Sequence, residues 1–136
     1  MKKEVFKYIE RELYDYEDTK KAILDLKDEI LHPYKAKDDN KDIKGNATSS
    51  PTENTAIKII CNKQLNRMIN TVRIIDKVVD KLDDDLKKLY DLKYRKQIHY
   101  NKIISYHLPM GEATYFRKRN RIVELIANEL GYVIET

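Results

Sequence analysis

The sequence predicts an all-α protein: a long N-terminal antiparallel helical hairpin followed by a C-terminal helix-turn-helix domain. Three observations predict it. No Gly or Pro interrupts residues 3–31, where apolar side chains recur at steps of three and four. A heptad stripe runs from Cys61 to Leu82. Residues 83–136 read as helix, short helix, tight turn and basic helix. With only three Gly and three Pro in 136 residues and 37% charged side chains, the composition suits helices with wet outer faces. Its 41% apolar fraction allows a narrow core that oligomerisation would help to complete. The expected division is a hairpin and oligomerisation stalk over residues 1–82, with a mobile loop at 34–50, and a helix-turn-helix domain over 83–136.

The first helix is read over residues 3–31. Its apolar positions are Phe6, Ile9, Leu13, Tyr16, Ile23, Leu26 and Ile30, with one phase slip near Thr19. Pro33 stops it. The segment KAKDDNKDIKGNATSS has one large apolar residue, Ile43, and buries too little to offset ordering. A connecting loop is the plainer reading of it, a substrate lid the sharper one. Ser50-Pro51-Thr52-Glu53 is a helix start, with Ser at the N-cap, Pro at the first helical position and Glu completing a capping box.

The second long helix is read through Leu82. At ~1.5 Å per residue the two helices are about 43 and 48 Å long, which suits an antiparallel pair. Leu65, Met68, Val72, Ile75 and Val79 form the seam expected to serve the core or an oligomer interface. Ile60, Ile69, Ile74 and Val78 lie beside it, so more than two helices should meet there. A second copy of the chain is the favoured partner, and the C-terminal domain is the alternative.

Asp83-Asp84-Asp85 suits a new helix N-terminus, while Leu82, Leu86 and Leu89 would continue the heptad. A helix to about Lys96 follows from either. A short helix is expected around Tyr100–Tyr106, a turn at Leu108–Gly111, and a last helix over Glu112–Leu130. Its apolar face is Tyr115, Ile122, Leu125, Ile126 and Leu130, with Gly131 as C-cap and Tyr132, Val133 and Ile134 folding back on a core.

The net charge of +4 is unevenly placed. Residues 1–92 hold 19 Lys/Arg and 19 Asp/Glu; residues 93–121 hold eight Lys/Arg against Glu112 alone. The chain has 20 Lys and seven Arg, yet Arg117, Arg119 and Arg121 crowd into five positions. A planar guanidinium matches phosphate and guanine edges in a way an ammonium does not. A local basic patch on a neutral body points to a specific anionic partner.

The order of elements makes that partner double-stranded DNA. A helix-turn-helix needs a small residue where its helices cross, a constrained turn about four residues on, and an apolar anchor in the recognition helix. Ser105, Pro109 and Tyr115 stand at those offsets, with Ile104, Leu108 and Met110 in the buried positions between. Pro109 replaces the usual Gly. Glu112, Ala113, Thr114 and Arg117 then face outward as candidate base contacts. Lys96, Lys102, Lys118, Arg119 and Arg121 are candidate phosphate contacts. Phe116 has three readings: against Tyr106, against the first helix of the domain, or on the DNA face.

Other chemistry is weakly represented. Cys61 has no partner for a disulfide, and with His32, His99 and His107 it forms no metal-ligand spacing. There is no phosphate-binding Gly loop and no converging acid, base and nucleophile. The expectations are therefore a non-enzyme, no cofactor, no metal, no membrane contact, and a cytoplasmic location.

Several stretches resemble the RinA family of phage late-operon transcriptional activators: IERELYDYEDTKKAI, ILHPY, SSPTENTAIKI, LKKLYDLKYRKQ and GEATYFRKRNRIVELIANELGY. The resemblance spans nearly the whole chain. The C-terminal part is also similar to the promoter-binding helix-turn-helix domain of bacterial sigma factors, with Gly111 where those have a Ser or Thr cap. The resemblance implies a sequence-specific activator of packaging and morphogenesis genes, bound upstream of the promoter as a dimer or tetramer and engaging host RNA polymerase. A DNA-packaging oligomer of the small-terminase type is the alternative. A third, a polymerase-binding adaptor without DNA contact, fits the basic patch poorly.

Overall fold

The computed structural model describes residues 2–32 and 51–132, with side chains from Ala56 onward in the second stretch. Every element in it is helical. These are α1 (Lys3–Tyr14), α2 (Tyr16–Leu31), α3 (Pro51–Asp80), α4 (Asp84–Tyr90), α5 (Tyr100–Lys102) and α6 (Glu112–Leu130). Two wider π-helical turns, Asp91–Arg95 and Ile103–His107, extend α4 and α5. The loop expected at 34–50, the Ser50 cap and the tail residues Val133 and Ile134 lie outside the described residues.

The first long helix is in fact two. Asp15, at φ −89° and ψ 6°, leaves the helical basin, four residues before the phase slip that the apolar spacing gave at Thr19. Aspartate competes with the backbone for hydrogen bonds and is a weak helix former, so a break there is cheap. α3 starts at Pro51, where a missing N–H costs nothing, and ends at Asp80. The choice at the Asp triplet is resolved as a break. Asp83 is the N-cap of α4, and its carboxylate accepts from the Leu86 N–H at 2.9 Å.

The chain forms two compact units, residues 1–17 with 71–136 and residues 18–70. This partition differs from the division at 82/83 drawn from sequence, because α1 packs on α6 and the end of α3 joins the same core. In that unit Ile9, Leu13 and Tyr16 meet Ile75, Val78 and Leu82, Leu89, Tyr90 and Tyr94, and Ile103 and the face of α6. Ile75 is only 1% exposed, and Val72 and Val79 pack against this core. The C-terminal half of the heptad seam is thus occupied within one chain.

The other unit comprises most of α2 and the first two-thirds of α3. Ile23 is buried there, Leu65 and Met68 are half-buried, and Leu24, Leu31, Ile57, Ile59 and Ile60 are exposed.

Candidate nucleic-acid interface

α6 spans the range the sequence predicts. Gly111 precedes it in extended conformation without a side-chain cap. At the other end Gly131 has φ +96°, a left-handed value that only glycine adopts without strain. The Tyr132 and Gly131 N–H groups close the terminus on Ala127 O and Asn128 O, at 2.9 and 3.1 Å.

Tyr115, Ile122, Val123, Ile126 and Ala127 are the buried face of α6; Leu125 and Leu130 are half-buried. Val123 and Ala127 were not in the expected stripe. They widen it because α6 is covered by α1 as well as α4. The opposite side carries the candidate readers. Glu112, Ala113 and Arg117 are exposed, Thr114 is half-buried, and Arg121 is exposed one turn beyond Arg117. Since i and i+4 share a helix face, Arg117 and Arg121 point the same way.

The turn before α6 departs from the sequence reading in one respect. Ser105, expected at the close helix crossing, is exposed, and the fully buried residue is Ile103. The π-helical turn explains this, since its i+5 bond from the Leu108 N–H to Ile103 O (2.7 Å) rotates the register by roughly one residue. Ile104, Leu108 and Met110 are half-buried, and Tyr115 is buried, as an anchor residue requires. Phe116 packs on Tyr100 (5.5 Å between ring centroids) and on Tyr115 (5.1 Å) rather than on Tyr106, which is 81% exposed.

The basic residues divide into three settings. Lys102 is exposed, as is Lys96, whose Nζ is 3.4 Å from Asp91. Lys118 is 3.5 Å from Asp85 on the first turn of α4. Arg119 is used inside the unit. Its guanidinium lies 4.7 Å from the Phe6 ring centroid and 4.8 Å from that of Phe116, and it donates to Asn120 Oδ1 at 3.2 and 2.9 Å. It thereby fastens α1 to α6 through aromatic faces.

A second fastening is centred on Lys93. Its ammonium donates to Tyr14 Oη at 2.9 Å, lies 3.7 Å from Glu10, and sits over the Tyr14, Tyr94 and Tyr115 rings at 5.4, 5.2 and 5.9 Å. Tyr94 Oη donates to Glu10 at 2.7 Å. Burial alone would depress the Lys93 ammonium, but the Tyr14 hydrogen bond and the surrounding phenols and Glu10 carry it above the usual lysine range. Tyr14 and Glu10 come from α1, about eighty residues away in the chain, and no local spacing announces them.

An open depression of about 310 Å³ lies between the start of α4 and α6, lined by Asp83, Asp85, Leu86, Arg117, Lys118 and Arg121. The acidic members carry no interface signal in the sequence, where the Asp triplet suits either a helix N-terminus or a continuing heptad. Among the described residues no cluster of His, Cys, Asp or Glu could hold a metal ion, and no helix is long and apolar enough to cross a membrane.

Fold and surface together define an all-helical protein that presents a cationic helix face beside an acidic helix start. The chain belongs to the family described as Protein of unknown function (DUF722), whose model matches residues 5–128. That span includes all but the first two residues of α1 and the last two of α6. No curated protein and no solved structure matches the chain significantly.

Proposed function

We propose that the protein is a sequence-specific DNA-binding transcriptional activator of phage late genes, those for packaging and morphogenesis. It would bind upstream of the promoter and engage host RNA polymerase in the bacterial cytoplasm. The observation that carries the DNA-binding part is the two-sidedness of α6. One face is locked into the core by Tyr115, Ile122 and Ile126, while Glu112, Ala113, Arg117 and Arg121 stand in solvent on its leading turns. In the proposed reading α5, the turn at 108–111 and α6 act as a helix-turn-helix, with α6 entering the major groove. The activator role rests on the resemblance of the sequence to the RinA family.

In this reading Arg117 reads guanine, Glu112 accepts from cytosine, and Ala113 or Thr114 touches a thymine methyl. Lys96, Lys102, Lys118 and Arg121 hold phosphates. Arg119 supports the site by holding α1 against α6. A homo-oligomer, dimer or tetramer, presents two or more such helices to a repeated operator. Its support is the exposed aliphatic side chains Leu24, Leu31, Ile57, Ile59 and Ile60.

The test is binding of the purified protein to its own genomic DNA, followed by variants. Arg117→Ala should relax specificity at one base pair at a cost of about 1–3 kcal/mol, whereas Arg121→Ala should weaken matched and scrambled DNA alike. Equal losses for both variants on both DNAs would contradict the assignment of readers. Native mass spectrometry separates this reading from the packaging alternative, for which a closed ring of many subunits is expected.

A further inference from the structure

Asp85, in the first turn of α4, stands beside the cationic face of α6. Its carboxylate lies 3.5 Å from Lys118 Nζ and lines the same depression as Arg117 and Arg121, the two exposed arginines of α6. Asp83 is committed to capping α4. Asp85 has no such duty, and its side chain is 73% exposed against 30% for that of Lys118. An ion pair this wet adds little to the stability of a fold. Its placement matters more for whatever anion approaches the arginines. A phosphate entering the depression meets the Asp85 carboxylate beside Lys118 and competes with it for the ammonium.

We propose that this depression is a phosphate-binding site of the DNA face in which Asp85 is a built-in competitor, holding Lys118 until a backbone phosphate displaces it. The inference rests on the DNA-binding reading above. Asp85 then lowers affinity for every DNA, because phosphate contacts carry no base information. It also flattens the salt dependence. One lysine moves from an internal anion to a DNA phosphate, and salt weakens the first pairing as well as the second.

The experiment measures affinity for a fixed duplex, operator or scrambled, across a salt series for the full chain and three variants. Asp85→Asn should bind both duplexes roughly three- to tenfold more tightly at low salt. Its plot of log affinity against log salt should be steeper by up to about one. In a Lys118→Gln background the gain from Asp85→Asn should fall below about twofold, since the two residues act through each other. Asp84→Asn removes the same charge one residue away, outside the depression, and should leave the slope unchanged.

Circular dichroism and thermal midpoints establish that each variant is folded, with Asp85→Ser as a second substitution. If the wild type binds DNA and Asp85→Asn changes neither affinity nor slope, the competitor role is overturned. A gain that survives intact in the Lys118→Gln background overturns it too, since general repulsion would then suffice. A wild type that binds no DNA even at low salt overturns both this inference and the DNA-binding reading.

Discussion

Arg117, Arg119 and Arg121 are alike in sequence and unlike in place. Arg117 and Arg121 are exposed, while Arg119 lies between Phe6 and Phe116. Arg119→Ala should therefore act on the fold first, lowering stability by about 1–2 kcal/mol through lost packing and cation–π contact. Arg119→Lys should recover little of that, because an ammonium cannot lie flat between two rings as a guanidinium can. Thermal unfolding checks this; a stability loss equal to that of Arg121→Ala would contradict it. Lys93 and the tyrosines make a second prediction. Burial and the Asp76 carboxylate push Tyr16 up to about 12; burial and Glu10 push Tyr94 further still; burial raises Tyr90. Each folded pKa lies above its unfolded value, as does that of Lys93. The stability they contribute is complete below pH ~10 and lost as pH rises through the raised values. Thermal midpoints should hold to about pH 9 and then fall steadily, with the buried phenols ionising only on unfolding. A midpoint that stayed level to pH 11.5 would contradict this.

At the scale of elements, helix ends were the most legible feature. Pro51 starts α3, and Glu112 and Leu130 bound α6 where the sequence places them. A cap or a breaker acts within one turn, so its effect is written in neighbouring residues. Gly131→Ala should cost about 1 kcal/mol, since alanine is strained at φ +96°. An unchanged midpoint would mean that the C-terminal turn of α6 adds nothing to the fold. What was illegible followed from distant packing and from turn type. The docking of α1 on α6 depends on residues far apart in the chain, the break at Asp15 falls four residues from the phase slip near Thr19, and no cap or breaker marks the π-helical turn that exposes Ser105. The same holds in the candidate site. The outward face of α6 could be read from its period, but the pairing of Lys118 with Asp85 and the capture of Arg119 by Phe6 could not. Charge counting treats every arginine as available, and only the fold shows which are already engaged.

For the molecule as a whole, α1 belongs with the C-terminal helices rather than with a separate stalk. One unit combines residues 1–17 and 71–136, so α6, which carries the candidate interface, is packed by α1 as well as by α4. Deleting α1 should therefore unfold or loosen the basic helix. The other unit leaves Leu24, Leu31, Ile57 and Ile60 in solvent, which is where the proposed oligomer finds apolar surface. The proposed function depends on the outward face of α6 reading DNA sequence. It is tested most directly by titrating the protein into operator and scrambled duplexes, with Arg117→Ala and Arg121→Ala beside the wild type, at two salt concentrations. Arg117→Ala should narrow the gap between operator and scrambled DNA, while Arg121→Ala should lower both affinities together and flatten the salt dependence by about one phosphate contact. A wild type that binds both duplexes equally, with Arg117→Ala no different from Arg121→Ala, would contradict it.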